Sequence, residues 1–386
     1  MENSSVLMAL AKVPMDMSVP GNATNWDVYV AQFDRQWEEH YTLNWIFIGI
    51  MSSLAAFGTL TNLFVLISLV LVLELHHCQY AFVGNLAFAD ILITAIVLPV
   101  IVAVLLKGPD MFRRHPWFCE LEGSICASAC AGSIWCIMAI SVERYICICH
   151  HNLHSKLFTP LRTAGLIILL WIVANAIHAP NYLGWGRTGY TADLNLCTSE
   201  LHLQSYSIFF GILAVIIPIN ISFYAYMQIY RRIRISRAGR RILVSHSRAS
   251  TNSSADPTAP GIIPPMQLRA IRDEIQLAKA LFKVFILFLL SWMPLGLFFI
   301  LRSSVTFPKW YNFMGLILAH GSSATNSVIY FWMTDLLRTT KEGYRRLIRR
   351  AKANRVGLPG MLAKELNIKR MGSNLRTYEH HPDPVG

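Results

Sequence analysis

The chain has 386 residues, of which 54% are hydrophobic and only 15% are charged. A soluble domain carries about 25% charged residues; here the deficit comes from apolar runs long enough to cross a bilayer, about 20 residues each. The net charge of +12 does not point to nucleic acid. The basic residues lie mainly in short loops between apolar runs and just after the last run, where they set topology and meet anionic lipid. Zinc-finger spacing and an interleaved basic–aromatic face are both absent.

Residues 1–44 are polar and contain no apolar core of signal-peptide type. Asn3-Ser4-Ser5 and Asn22-Ala23-Thr24 are glycosylation sequons in this stretch. Seven apolar runs follow, at 45–73, 80–106, 119–151, 160–182, 204–232, 274–302 and 310–333. They predict an all-α membrane protein, a seven-transmembrane helix bundle over 45–333, with N-terminus outside and C-terminus in the cytosol. The orientation rests on Lys and Arg: 233–273 and the segment after the last run are rich in arginine, and the positive-inside rule puts both in the cytosol. Lys107, Arg113 and Arg114 violate the rule locally. A third sequon, Asn252-Ser253-Ser254, falls on the cytosolic side and is discounted. Residues 245–265, rich in Ser, Thr, Pro and Gly, read as a flexible loop. Residues 334–351 alternate apolar and basic, as in an amphipathic eighth helix on the inner membrane surface, and 352–386 form a cytoplasmic tail.

Polar residues inside the runs carry the functional reading. Asp90 lies mid-run, and an intramembrane carboxylate is costly unless paired, hydrated or protonated. Asn62, Ser133, Ser322 and Asn326 are expected at similar depth. One reading is a water-filled pocket holding Na⁺; the other is a hydrogen-bonded structural carboxyl. Glu143-Arg144-Tyr145 closes the third run. Arg144 follows Cys119 by 25 residues, about 37 Å along a helix, so one helix spans from one to the other. Glu274 opens the sixth run, and a resting clasp of Arg144 with Glu143 and Glu274 is expected, opening on activation. Trp292-Met293-Pro294 makes a kink, and either a hinge or a static bend fits it. Pro218 loosens run five, with Tyr226 two turns later. Asn326 reaches toward Asp90 while Tyr330 faces the cytosolic end. Cys119 and Cys197, each at the outer edge of a run, are expected to form a disulfide in an oxidising compartment. Cys126, Cys130, Cys136, Cys147 and Cys149, within one apolar run, read as buried thiols.

With these residues in place the sequence resembles the rhodopsin-like (class A) G-protein-coupled receptors over about 45–350. The markers are Asn62, Asp90, Cys119 with Cys197, Glu143-Arg144-Tyr145, Trp171, Pro218, Trp292 with Pro294, and Asn326 to Tyr330. It departs where Glu143 replaces the usual Asp or Asn, and where Ser327 replaces a proline. Melatonin receptors also lack that proline. They share Arg144-Tyr145-Ile146-Cys147-Ile148-Cys149-His150, Lys156-Leu157-Phe158, Pro180-Asn181 and Cys197-Thr198, and invertebrate orphans such as moody share parts of the pattern. Asn181 matches a melatonin-contacting Asn. Ser199, Leu201 and Ala214 replace three other contacts. Aminergic receptors need an Asp where Cys126 stands, and opsins need a Schiff-base Lys where His320 stands. Cys126, Asn181, Trp292, Phe299 and His320, with Ser133 below, therefore line the expected pocket for a small, largely uncharged ligand.

The resemblance implies a plasma-membrane receptor whose partners are a heterotrimeric G protein, an extracellular small-molecule ligand, arrestin, a receptor kinase and membrane lipid. Inhibitory-type coupling follows from the melatonin-like branch alone. No cofactor is expected beyond an allosteric sodium ion at Asp90. A transporter or channel would need a continuous polar path, and the runs offer one buried carboxylate rather than a relay; no internal repeat is present. A light sensor without the usual lysine is the other alternative. No HExxH or GxSxG constellation points to an enzyme.

Overall fold

The computed structural model describes residues 30, 33–72, 78–186, 188–199, 204–249, 265–301, 305–333 and 340–349. Glycosylation candidates Asn3 and Asn22 and the tail 352–386 lie outside the described residues. The side chains of Glu274 and Tyr330 do too.

Among the described residues seven long helices form the bundle. Span one is Tyr41–Leu71 and span three is Pro116–Cys149. Span four, Pro160–His178, ends in a single 3₁₀ turn, Ala179–Asn181. Span six is Pro265–Leu301 and span seven is Lys309–Met333. Spans two and five each contain a widened turn. Span two runs Cys78–Leu92, passes through a π-turn at Ile93–Val97 and continues as Leu98–Lys107. Span five runs Gln204–Phe210, π-turn Gly211–Ile216, then Ile217–Ala249. In both, the π-turn ends two residues before a proline, Pro99 or Pro218. A proline ring clashes with the carbonyl four residues earlier and lacks an N–H, and a π-turn accommodates both faults without ending the helix.

Helix starts follow local chemistry. Pro116 and Pro160 sit at first-turn positions, where a missing N–H costs nothing. The Thr159 hydroxyl caps span four by accepting from the Arg162 N–H. Span two stops at Gly108, whose φ of 77° suits glycine at a helix C-terminus. Spans five and six extend as helix to Ala249 and from Pro265, well into the 233–273 segment expected as loop. Its basic residues favour helix and need no loop once clear of the bilayer.

Among the described residues six helices are apolar enough to cross a membrane by composition. Span seven falls short because Asn312, His320, Ser323, Asn326 and Ser327 interrupt it. All five are buried, so their polarity faces the bundle rather than lipid. Small residues bring spans together. A Cβ on Gly58 would stand 2.5 Å from Thr94 Cγ2 and 2.9 Å from Ala324 Cβ, so spans one, two and seven meet at backbone distance. Phe47 stacks on Phe313 at 3.9 Å between spans one and seven.

The apolar core has two main layers. One, around Phe82, Leu86, Ile137, Ile140, Phe285 and Phe288, lies toward Arg144. The other holds Phe47, Met51, Val97, Leu295, Phe298 and Phe313, with Leu194 and Leu196 from a connecting loop. That loop is an antiparallel hairpin of β1 (Thr188–Thr191) and β2 (Leu196–Ser199), with Tyr190 opposite Cys197. It closes the end of the bundle where span three begins. At the other end a helix over 340–349 packs Tyr344 on Phe64 of span one at 6.3 Å and Gly343 against Val72.

Candidate functional site

Three levels of buried polar groups lie along span three. At the first level Cys119 and Cys197 form a disulfide, Cα–Cα 5.4 Å, stapling β2 to the start of the span. Gly123, one turn on, lies directly beneath Thr188 and the Cys197 carbonyl; a side chain there would push the hairpin off. Glu122 is buried and its Oε2 accepts from the Cys197 N–H at 3.1 Å, while its Oε1 has no partner. The intramembrane-carboxylate rule that singled out Asp90 applies equally to Glu122, and that reading missed it. Asn181 donates from Nδ2 to Thr188 Oγ1 at 3.0 Å, so its amide serves the hairpin. Of the expected pocket residues, Cys126, Trp292 and Phe299 pack around one apolar cluster, and the ring of His320 meets that of Trp292 at 6.2 Å. Asn181 stands apart at the hairpin's strand.

At the middle level Asn326 Nδ2 donates to Asp90 Oδ2 at 3.0 Å. Asn62 Nδ2 donates to Gly58 O and to Ser323 O at 2.9 and 3.0 Å, joining spans one and seven beside the carboxylate. A narrow cleft is lined by Asn62, Asp90, Asn326 and Ser327 with Val83 and Leu86. Ser133 and Ser323 flank Asp90. Ser322 turns to its own helix and donates to Ala319 O at 2.6 Å. Adjacent helix positions point about 100° apart, which is why Ser323 rather than Ser322 borders the carboxylate. Asp90 Oδ1 and Ser133 Oγ, although Ser133 flanks the carboxylate, make no hydrogen bond of ordinary geometry. These oxygens are the donor set a hard cation takes.

At the third level Arg144 donates from Nε and Nη2 to the two oxygens of Glu143, each at 2.5 Å. Both side chains are about 1% exposed, and a fork-to-fork pair so buried is the strong form of this contact. The second half of the expected clasp, Glu274, lies outside the described side chains. Among the described residues an unforeseen partner of Glu143 is present: His154 Nε2 lies 2.7 Å from Glu143 Oε1. His154 sits on a short helix, His151–Leu157, that follows span three. Eleven residues separate it from Glu143, so no local spacing rule announces the contact. The Tyr145 hydroxyl meets His150 Nε2 at 3.1 Å, away from the Arg144 pair. Tyr226 is buried against Phe282 and Phe285 of span six, at 5.1 and 5.6 Å. At the kink the Tyr311 hydroxyl donates to Pro294 O at 3.0 Å, tying spans six and seven, and Trp292 stacks near Phe288 with its Nε1 unpaired.

Among the described residues this arrangement holds no catalytic constellation. No group of three metal-ligating His, Cys, Asp or Glu side chains occurs among the described residues.

The family model "7 transmembrane receptor (rhodopsin family)" matches residues 61–330. The melatonin receptor type 1B-B of Danio rerio is 25% identical over 294 residues, covering 73% of this chain and 78% of that protein. The G-protein coupled receptor moody of Drosophila melanogaster is 24% identical over 325 residues, 73% of this chain and 48% of moody. Squid rhodopsin superposes with a TM-score of 0.64 at 19% identity, covering 80% of this chain and 87% of that one.

Proposed function

Because this chain belongs to the rhodopsin family of seven-transmembrane receptors, a multi-pass plasma-membrane receptor signalling through G proteins, we propose the following finer reading. A small, largely uncharged extracellular ligand binds among Cys126, Trp292, Phe299 and His320, with Asn181 holding the hairpin wall. Binding favours an outward swing of span six at the Trp292–Pro294 kink. Arg144 then leaves Glu143, and a G-protein helix enters the cleft beside Tyr226. The N-terminus is extracellular and the C-terminus cytosolic. The melatonin-like relative supports inhibitory-type coupling, although melatonin itself lacks most of its matching contacts here. Arrestin, a receptor kinase and lipid along 340–349 complete the partner set.

The carrying observation is the buried Glu143–Arg144 pair. A charged pair at a helix end costs a great deal to bury unless both members are matched, so a state in which Arg144 is released differs discretely from this one. A ligand need only bind that second state better. A screen of chimeric G proteins against a ligand library tests the reading. Arg144→Ala is expected to abolish recruitment at unchanged surface level. No response to any ligand, with no basal activity even in Glu143→Gln, counts against it.

Sodium is part of the same proposal. Asp90, Ser133, Ser323 and Asn326 would hold the ion, with the unpaired Asp90 Oδ1 and Ser133 Oγ as natural donors. When bound, it supplies a charge partner for Asp90 that stabilises the resting packing. The transporter, channel and light-sensor alternatives have no observation favouring them.

A further inference from the structure

The apolar cluster that borders the proposed ligand site includes two residues of the hairpin itself. Leu194 is 0% and Leu196 4% exposed, and both belong to the apolar cluster made by Leu295, Phe298, Phe313 and Leu316, against which Cys126 and Trp292 pack. An ordinary surface hairpin exposes its tip. This one turns two leucines inward, and its geometry is built for that. Leu194 N and Asn195 N both donate to Thr191 O, at 3.1 and 2.9 Å. Asn195 adopts φ 54°, the only positive-φ residue other than glycine among the described residues. Asn tolerates this conformation best after glycine, and the Tyr190 hydroxyl donates to its Oδ1 at 3.1 Å.

Two fasteners hold the tip, and both come from span seven. Lys309 Nζ donates to Ala192 O at 3.3 Å and to Gln36 Oε1 at 3.1 Å, drawing the N-terminal segment over the hairpin. Asn312 Nδ2 donates to Asp193 O at 3.4 Å. The same span carries His320 against Trp292 and Asn326 on Asp90. Leucines cannot satisfy polar neighbours: Glu122 Oε1, His320 Nδ1 and Trp292 Nε1 are all buried without a partner. Unpaired buried polar atoms are rare and need an explanation.

We propose that the hairpin tip Leu194-Asn195-Leu196 is an intramolecular occupant of the ligand site, that it holds the resting state, and that an activating ligand displaces it. The restraining sign rests on the receptor reading above, because in this same structure Arg144 is buried on Glu143. The displacing ligand combines an apolar body, replacing the leucines, with hydrogen-bonding groups for Glu122, His320 or Trp292.

The full-length receptor carrying Leu194→Ser and Leu196→Ser together tests this, compared with native protein at matched surface level. Basal G-protein recruitment is expected to rise at least about fivefold, the lower end of ordinary coupling between sites. Lys309→Met, which removes the fastener on Ala192 O and the ammonium over the Phe313 ring but leaves both leucines in place, should move it the same way by less. A second readout needs no signalling: on intact cells a membrane-impermeant thiosulfonate should label Cys126 or Cys130 faster in the double variant than in native protein, with Cys126→Ser/Cys130→Ser as the labelling control. Equal labelling rates overturn the occupant. Faster labelling with unchanged or lowered basal recruitment overturns the restraining role and leaves the receptor reading intact.

Discussion

The two ends of the bundle are both closed, by opposite means. At the Arg144 end the closure is an ion pair between consecutive residues, reinforced by His154 from a helix just downstream. At the disulfide end it is apolar: two leucines delivered by a hairpin some 70 residues after span three begins, and stapled there by a bond of sequence separation 78. An ion pair of this kind is directional and lost all at once when either member leaves. An apolar tip yields by degrees as its fasteners loosen. Release at the disulfide end can therefore be graded while the Arg144 end stays two-state, a division suited to a receptor.

The comparison breaks most severely at the staple. Cys197→Ser should destabilise the hairpin by roughly 4 kcal/mol in the chain-entropy view, with surface expression falling several-fold by flow cytometry. Next in size is the ion pair. Glu143→Gln removes the charge that holds Arg144, and basal G-protein recruitment should rise by about tenfold, a change worth 1.4 kcal/mol. His154→Ala, which leaves the pair intact, should raise it by less; an effect equal to that of Glu143→Gln would make His154 a full member of the clasp. At the middle level Asp90→Asn should erase any dependence of basal recruitment on sodium concentration, with native protein less active at high sodium. The smallest effect is expected from Tyr190→Phe, which removes one buried hydrogen bond, about 1 kcal/mol, and should loosen the tip slightly in the labelling assay.

Tyr190 also predicts a pH response. Burial, then the nearby Asp193, pushes its phenol above the usual range. A phenol raised in the folded state contributes its stability below the unfolded value of about 10, and loses it as pH rises beyond that. The hairpin should hold across physiological pH and weaken only in strong alkali, measured as thiol labelling against pH. A Tyr190→Phe variant should lack this alkaline loss.

Much of the Arg144 and Asp90 levels could be read from the sequence because their chemistry is costly. A carboxylate at mid-span, an arginine at the end of a long apolar run and a proline beside tryptophan each demand a partner or a consequence, and Asp90, Arg144 and Pro294 have one. Register was harder. Ser323 borders Asp90 and Ser322 does not, because one residue rotates a side chain by about 100° and the sequence carries no mark of helix rotation. Glu122 bore the same mark as Asp90, but its partner is a backbone N–H, which leaves no trace in residue identity.

Sequence alone therefore determined the seven helices, their family, and the depth of Cys119, Asp90 and Arg144, because bilayer thickness and the cost of buried charge act on every residue regardless of its neighbours. Even Glu143 and Arg144, adjacent in the chain, pair only because surrounding spans bury them together. The direction in which the hairpin turns its leucines was decided by tertiary structure alone. Leu194 and Leu196 are unremarkable in a loop, and only the fasteners from span seven, Gly123 beneath the hairpin and the disulfide beside it make them part of the core.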